Sequence, residues 1–228
     1  MNIYCFPYVG GSSLMYSELN KRFDGKNKII PMEYPGHGVR MNENLSLSVD
    51  ELIDDMLRQI KKRDDGSPFV LLGYSLGSKL IYMLYQKYRN TPMFRRMKCM
   101  FFCAMSMDSS EKDKDYSSMS DKELMDYTIS LGGSDLHSEE DYNSYKYFLP
   151  IIRNDFILFD KAKKAIADNH GELITKDVYV LYSSDEDGIE KYDEYCQKVS
   201  EYRYFQGGHF FINHHVDELA EYIKTCLK

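Results

Sequence analysis

Six short apolar runs, separated by amphipathic or turn-rich segments, dominate the pattern of this chain. Runs of this length that are rich in β-branched and aromatic residues are typical of strands buried on both faces. Their alternation with helical patterns predicts a mostly parallel sheet flanked by helices, which is an α/β fold. The predicted strands cover residues 3–7, 28–34, 69–74, 98–105, 178–183 and 202–206.

Helical periodicity occurs between most of these runs. It is strongest at residues 49–60, where apolar side chains recur on one face and where Ser48 and Glu51 have the spacing of a capping box. No repeat or low-complexity linker divides the 228 residues, so we expect a single domain over 1–228. Further helices are predicted at residues 14–23, 76–89, 189–199 and 216–227.

The alternation of strands and helices is interrupted between about residues 107 and 176. This segment is charged and rich in Ser and Tyr, and it contains helical patterns without a convincing strand. So long an insertion between two strands is usually functional, often as a lid or a binding subdomain. The alternative is a helical excursion that only covers the sheet.

Charge and cysteine content exclude several classes of function. The net charge of −7 argues against binding to nucleic acid or to an anionic membrane. We expect no secretory signal and no membrane span, because no apolar run is long enough. Five cysteines at irregular spacing fit free thiols in a cytoplasmic protein, and no CxxC or HExxH pattern supports a metal site.

A serine flanked by glycines follows the third predicted strand. Ser75 lies in Gly73-Tyr74-Ser75-Leu76-Gly77, with an apolar run before it and a helical pattern after it. A sharp strand-to-helix turn exposes the serine oxygen and crowds its backbone, so small residues are needed beside it. This context predicts a nucleophile, although the five-residue pattern alone is common.

A nucleophilic serine needs a base and an acid that orients the base. Of the six histidines, His209 lies on a Gly-Gly loop after the last predicted strand, where the base belongs when the chain order is serine, acid, histidine. The loop after the preceding strand offers three acids, and their spacing does not choose among them: Asp185, Glu186 and Asp187.

Backbone amides complete the predicted site as an oxyanion hole. The amide of Leu76 follows the serine at a helix N-terminus, and Tyr8 or Val9 would supply a second N–H from the loop after the first strand. The simpler alternative for that loop is an ordinary strand-to-helix turn.

Motifs along nearly the whole chain resemble the type II thioesterases of non-ribosomal peptide and polyketide assembly lines, in the α/β-hydrolase superfamily. "CFPYVGGSS" is similar to the family's FPxAGGS, "MEYPGHGVR" to YPGRGxR, "GYSLG" to GHSMG and "GGHFF" to GGHFF. Within the insertion, "LGGS" and "FLPIIRNDF" resemble LGGxP and FLPxLRADF. Several matches in the right order are far more specific than the serine motif alone.

The resemblance implies an α/β-hydrolase fold in which Ser75 is the nucleophile and His209 the general base. Aligned without a gap, the acid loop favours Asp187 as the acid, with Asp185 as the alternative. Three positions depart from the family pattern: Tyr74 replaces a His, Lys79 stands where a small residue is common, and the acid loop lacks its glycine.

The resemblance also implies that the insertion is a lid over the triad. Some of its large apolar side chains would pack on the sheet and others would line an acyl channel leading to Ser75, with the segment Phe148–Phe156 as the moving wall. These side chains are Leu131, Leu136, Tyr147, Phe148, Leu149, Ile152, Phe156 and Phe159.

The implied activity is hydrolysis of acyl groups misloaded on the phosphopantetheine arm of acyl or peptidyl carrier domains. No metal or cofactor is expected, the partners are carrier domains, and we expect a monomer. Two alternatives remain open at this point: a small-molecule carboxylesterase of the same fold, and a non-catalytic carrier-binding module.

Overall fold

The computed structural model describes residues 1–107, 114–132, 143 and 145–228. Within these ranges, six strands form one sheet in the order β2-β1-β3-β4-β5-β6, and every neighbouring pair is parallel. All six predicted strands are present, so the α/β prediction is confirmed. The strands are β1 (Asn2–Phe6), β2 (Lys28–Pro31), β3 (Phe69–Tyr74), β4 (Met97–Cys103), β5 (Asp177–Tyr182) and β6 (Glu201–Tyr204).

Helices cover both faces of this sheet. The α-helices of the described residues are α1 (Ser17–Asn20), α2 (Val49–Arg63), α3 (Leu76–Tyr88), α4 (Pro92–Arg95), α5 (Asp121–Ser130), α6 (Leu149–Asp168) and α7 (Val216–Cys226). None of the helices in these ranges is long and apolar enough to cross a membrane.

Alternate strand residues point into two different apolar cores. In β3, Phe69 and Leu71 pack on the face that α2, α3 and α6 cover, whereas Val70 and Leu72 pack on the face that α1 and α7 cover. Because side chains of a strand alternate between faces, a strand covered on both sides must be apolar throughout. This is why the runs are continuous rather than alternating in polarity.

The long helix α2 begins as its sequence predicts, with one difference at the cap. The Ser48 hydroxyl accepts a hydrogen bond from the Glu51 amide at 3.2 Å. The Glu51 carboxylate accepts from the amide of Leu47 at 3.0 Å rather than from that of Ser48. The reciprocal half of the capping box is therefore displaced by one residue.

Two predicted helices are shorter than expected. Residues 14–23 form a 3₁₀ turn (Ser13–Tyr16) followed by α1. The helix expected at 189–199 is a 3₁₀ helix, Ile189–Glu194. After it the backbone is engaged elsewhere, because Tyr195 and Gln197 hydrogen-bond to extended Ile174.

The insertion between β4 and β5 has its own apolar cluster. Leu124 of α5 packs with Leu149, Ile152 and Phe156 of α6. The later part of α6 joins the main core through Leu158, Ala162 and Ile166. The described part of the insertion, residues 114–132 and 145–176, is therefore packed against itself and is fixed to the main core along the second half of α6.

Candidate active site

The residues that the sequence analysis singled out meet at the carboxyl ends of the strands. In parallel sheets these ends form one edge, where ligands bind. A cavity of about 780 Å³ opens there, and its walls include Tyr8, Val9, Ser75, His209 and all three acids of the loop after β5. The cavity therefore joins the predicted nucleophile, base and acids.

Ser75 lies on a strained turn between β3 and α3. Its backbone has φ 53° and ψ −114°, a conformation that residues with a side chain rarely adopt. A Cβ on Gly77 would lie 2.2 Å from the carbonyl oxygen of Phe6, and one on Gly73 would lie 2.5 Å from the backbone of Gly77. The flanking glycines are required because the turn packs directly on β1 and on itself.

His209 pairs with a different acid from the two that the alignment favoured. Its Nδ1 lies 2.8 Å from Oε1 of Glu186, and the Glu186 side chain is only 4% exposed. The other oxygen of Glu186 accepts hydrogen bonds from the amide and hydroxyl of Ser183, at 2.7 and 2.8 Å. These bonds orient the carboxylate toward the imidazole.

The two neighbouring acids have other positions. Asp185 accepts a hydrogen bond from the backbone amide of His209 at 2.8 Å, so it holds the loop rather than the ring. Asp187 is exposed, and no hydrogen bond joins it to His209. The ungapped alignment favoured Asp187 because it matched residues by their position in the loop. In the structure, Glu186 lies one position earlier, and its longer side chain reaches the imidazole ring of His209.

Tyr74 connects the serine turn to the histidine loop. Its buried hydroxyl donates to the His209 carbonyl at 2.6 Å and accepts from the Ile212 amide at 3.3 Å. The sequence analysis noted Tyr74 only as a departure from the family pattern. The structure gives it a specific contact that spans the site.

Two of the three predicted oxyanion amides, those of Tyr8 and Val9, belong to residues that line the same cavity, and the third, that of Leu76, follows the lining residue Ser75. Within the described part of the chain, the amides of Tyr8, Val9 and Leu76 have no hydrogen-bond acceptor, whereas the Gly10 amide donates to Asp155 of α6 at 2.8 Å. Tyr8, Val9 and Ser75 line the cavity. Unpaired amides beside a serine are what an oxyanion hole requires.

Described residues of the insertion contribute apolar side chains to one wall of the cavity. Phe148 lines it and is 51% exposed, whereas Phe156 lines it from a buried position, stacked on Tyr116 with ring centroids 4.6 Å apart. Leu136, which was also predicted to belong to this wall, lies outside the described residues. In the predicted moving wall Phe148–Phe156, Phe148 is therefore half-exposed at one end and Phe156 is packed at the other.

Lys79, the second departure from the family pattern, is fully buried on α3. Its ammonium group donates to the carbonyls of Ser106 and Met107, at 3.2 Å each, and lies 5.2 Å from the centre of the Phe159 ring. Ser106 and Phe159 both line the cavity. Lys79 therefore holds the loop after β4 in its place.

Sequence comparisons relate this chain to known thioesterases. Residues 1–227 match the family model of the thioesterase domain. The rat medium-chain S-acyl fatty acid synthase thioesterase is 20% identical over 239 residues, covering 99% of this chain and 88% of the relative. The probable anguibactin biosynthesis thioesterase AngT of Vibrio anguillarum is 23% identical over 227 residues, covering 96% and 88%.

Solved structures show the same fold. The crystal structure of ClbQ, from the colibactin non-ribosomal peptide and polyketide pathway, has a TM-score of 0.85 at 20% identity and covers 99% of this chain and 96% of that one. A lipase-esterase related protein of Clostridium acetobutylicum has a TM-score of 0.75 at 19% identity, covering 98% and 93%. The α/β-hydrolase fold is therefore shared, and from the match over nearly its full length the chain belongs to the thioesterase domain family.

Proposed function

We propose that this protein hydrolyses acyl thioesters on the phosphopantetheine arms of carrier domains in a non-ribosomal peptide or polyketide assembly line. In this proposal Ser75 is the nucleophile, His209 the general base and Glu186 the acid that orients it. Membership of the thioesterase family supports the reaction class. The relatives named for anguibactin and colibactin pathways support the carrier-bound substrate.

One observation carries the choice of site: the buried Glu186 carboxylate lies 2.8 Å from His209 on the wall of the cavity that contains Ser75. A carboxylate at Nδ1 keeps the proton on that nitrogen, so the other ring nitrogen is free to accept a proton. A serine on a strained turn that lines the same cavity is the matching nucleophile.

The reaction follows from these positions. Ser75 attacks the thioester carbonyl as His209 takes its proton, and Glu186 stabilises the imidazolium that forms. The amide of Leu76, together with that of Tyr8 or Val9, holds the oxyanion. His209 returns its proton to the leaving thiolate, and a water molecule activated by His209 then releases the acid from Ser75.

The test compares thioesters and oxygen esters of the same acyl group. An acyl group loaded on a phosphopantetheinylated carrier, the acyl-pantetheine thioester and a simple alkyl ester are offered to the wild type and to Ser75→Ala. We expect the highest kcat/KM on the loaded carrier, with turnover and fluorophosphonate labelling both lost in Ser75→Ala while its melting temperature stays close to that of the wild type.

Two results would contradict the proposal. A preference for the alkyl ester over both thioesters would make the protein a carboxylesterase of the same fold. Labelling of Ser75→Ala at the wild-type rate would exclude Ser75 as the nucleophile.

A further inference from the structure

A second histidine–carboxylate pair is buried beside the cavity. His37 lies on the loop after β2, and its side chain is 3% exposed; Asp155 of α6 is 1% exposed. The Nε2 atom of His37 is 2.9 Å from Oδ2 of Asp155. Two buried polar groups of this kind are costly unless they satisfy each other, and the reaction derived above does not use them.

Both ring nitrogens of His37 face hydrogen-bond acceptors. Nε2 faces the Asp155 carboxylate, and Nδ1 lies 3.0 Å from the carbonyl oxygen of Pro35. A neutral imidazole carries one N–H, so it can satisfy only one of these acceptors; the imidazolium satisfies both. The geometry therefore favours the protonated form of His37.

The charges around His37 favour the same form. Burial by itself lowers the pKa of His37, but the hydrogen bond and negative charge of Asp155, the Pro35 carbonyl and the charge of Glu33 together raise it above its ordinary value. The neighbouring ring of Tyr34 is edge-on to the imidazole at 5.5 Å, and its hydroxyl donates to Pro7. Asp155 and Glu33 are the charged groups that act on the ring.

Asp155 also holds the loop after β1. The same oxygen that faces His37 accepts a hydrogen bond from the Gly10 amide at 2.8 Å. Gly10 follows Tyr8 and Val9 directly and packs against α6 so closely that a Cβ on it would lie 2.8 Å from Ile152. One carboxylate oxygen thus connects the loop of His37, the helix α6 and the loop with the proposed oxyanion amides.

We propose that the His37–Asp155 ion pair positions the Tyr8–Gly10 loop for oxyanion binding, and that turnover falls at alkaline pH when His37 loses its proton. The proposal rests on the proposed function in one respect, which is that this loop supplies an oxyanion amide. His37 and Asp155 are positioning residues, since they act through the Gly10 backbone.

The sign of the pH effect follows from the charge. Below the pKa of His37 the pair is ionic and the loop is held. As the pH rises through that pKa, the Nδ1 lone pair faces the Pro35 carbonyl and Asp155 loses its cationic partner. The stability that the pair contributes is fully present below the pKa of about 6.5 that His37 has in the unfolded chain. It is lost as the pH rises through the higher pKa of His37 in the folded protein.

The first experiment is an NMR titration of the wild-type protein labelled at histidine and glycine. We expect His37 to stay an imidazolium at pH values where a free histidine side chain, with its pKa of about 6.5, has already become neutral. We also expect the chemical shift of the Gly10 amide to change as His37 titrates. A His37 that is already neutral at about pH 6.5, where a free histidine is half protonated, would overturn the proposal. So would a Gly10 amide whose chemical shift does not change as His37 titrates.

The second experiment measures kcat and KM against pH for His37→Gln, with His214→Gln as the matched control. Glutamine keeps a donor for Asp155 but cannot ionise. We expect kcat to fall about tenfold at neutral pH, which is the difference between a charge-assisted and a neutral hydrogen bond. KM should be nearly unchanged, and the decline of activity at alkaline pH should be gone. The control should keep the wild-type profile.

An alkaline limb that survives at its wild-type position in His37→Gln refutes the proposal. If the variant does not fold, the NMR titration still decides, since it needs no substitution. If the wild type hydrolyses no thioester at any pH, the proposed function fails on its own, while the Gly10 and His37 signals still report whether the pair holds the loop.

Discussion

Replacing Glu186 with Gln removes one negative charge beside His209 and nearly preserves the shape of the side chain. The Gln oxygen can keep the two hydrogen bonds from Ser183. The amide nitrogen of Gln then faces Nδ1 of His209. Both the Gln NH2 group and the Nδ1–H group are donors, so they cannot hydrogen-bond to each other. The imidazole is expected to move its proton to the nitrogen that should receive the proton of Ser75, so the base is blocked.

The size of the effect follows from the same contact. An imidazolium and a carboxylate whose charges lie about 4 Å apart attract by about 4 kcal/mol at an effective dielectric constant of about 20. The low exposure of both side chains, 21% and 4%, makes this value applicable. With the loss of the correct tautomer added, kcat should fall by about 10³- to 10⁴-fold.

The assay is steady-state hydrolysis of an acyl-pantetheine thioester, with the melting temperature measured on the same samples. Asp187→Asn is the matched control: its carboxylate is exposed, so kcat should stay within about twofold of the wild-type value. Asp185→Asn keeps an acceptor for the His209 amide but loses its charge, so about a tenfold loss or less is expected. If Asp187→Asn is more damaging than Glu186→Gln, the assignment of the acid is wrong.

Three further predictions concern residues around the proposed triad. Tyr74→Phe leaves the His209 carbonyl and the Ile212 amide without their shared partner, so kcat should fall about fivefold to tenfold with little change in KM; an unchanged kcat would show that the tether is not needed. Phe156→Ala removes a ring stacked on Tyr116 and should destabilise the insertion by about 3–5 kcal/mol, seen as a lower melting temperature. Phe148→Ala, at a half-exposed position, should instead change the preference for acyl chain length, and an unchanged preference would argue against a gate at Phe148.

Local sequence was enough to predict most elements of the fold. Each strand is a continuous apolar run because both faces of the sheet are covered, and that requirement is visible in a single segment such as Phe69–Tyr74. The α2 helix is equally visible, since its apolar face recurs at helical spacing. Helical spacing predicted a longer helix at 189–199 than the structure has. The end of this segment is held by hydrogen bonds to Ile174, which is distant in sequence.

The position of the serine turn was predictable for a related reason. Gly73 and Gly77 stand where a Cβ would collide with backbone, and the strand and helix on either side of Ser75 are local patterns. His209 was predictable from its Gly-Gly loop and its order in the chain. In both cases the sequence carries the constraint within a few residues of the functional side chain.

The choice of Glu186 could not be made in this way. The three consecutive acids differ in the direction in which the loop points their side chains. The direction of the Glu186 carboxylate depends on the Ser183 amide and hydroxyl, which donate hydrogen bonds to one of its oxygens. Spacing counts positions along the chain, whereas the pairing with His209 depends on side-chain length and direction in three dimensions.

The sequence by itself determined the strands of the sheet, the serine turn and the histidine loop, because each is specified by neighbours along the chain. Only the tertiary structure decided which acid meets His209, how Tyr74 reaches the loop of His209, and that His37 pairs with Asp155 across 118 positions. Those contacts form between segments that folding brings together, and their partners are selected by geometry at the carboxyl edge of the sheet rather than by any local pattern.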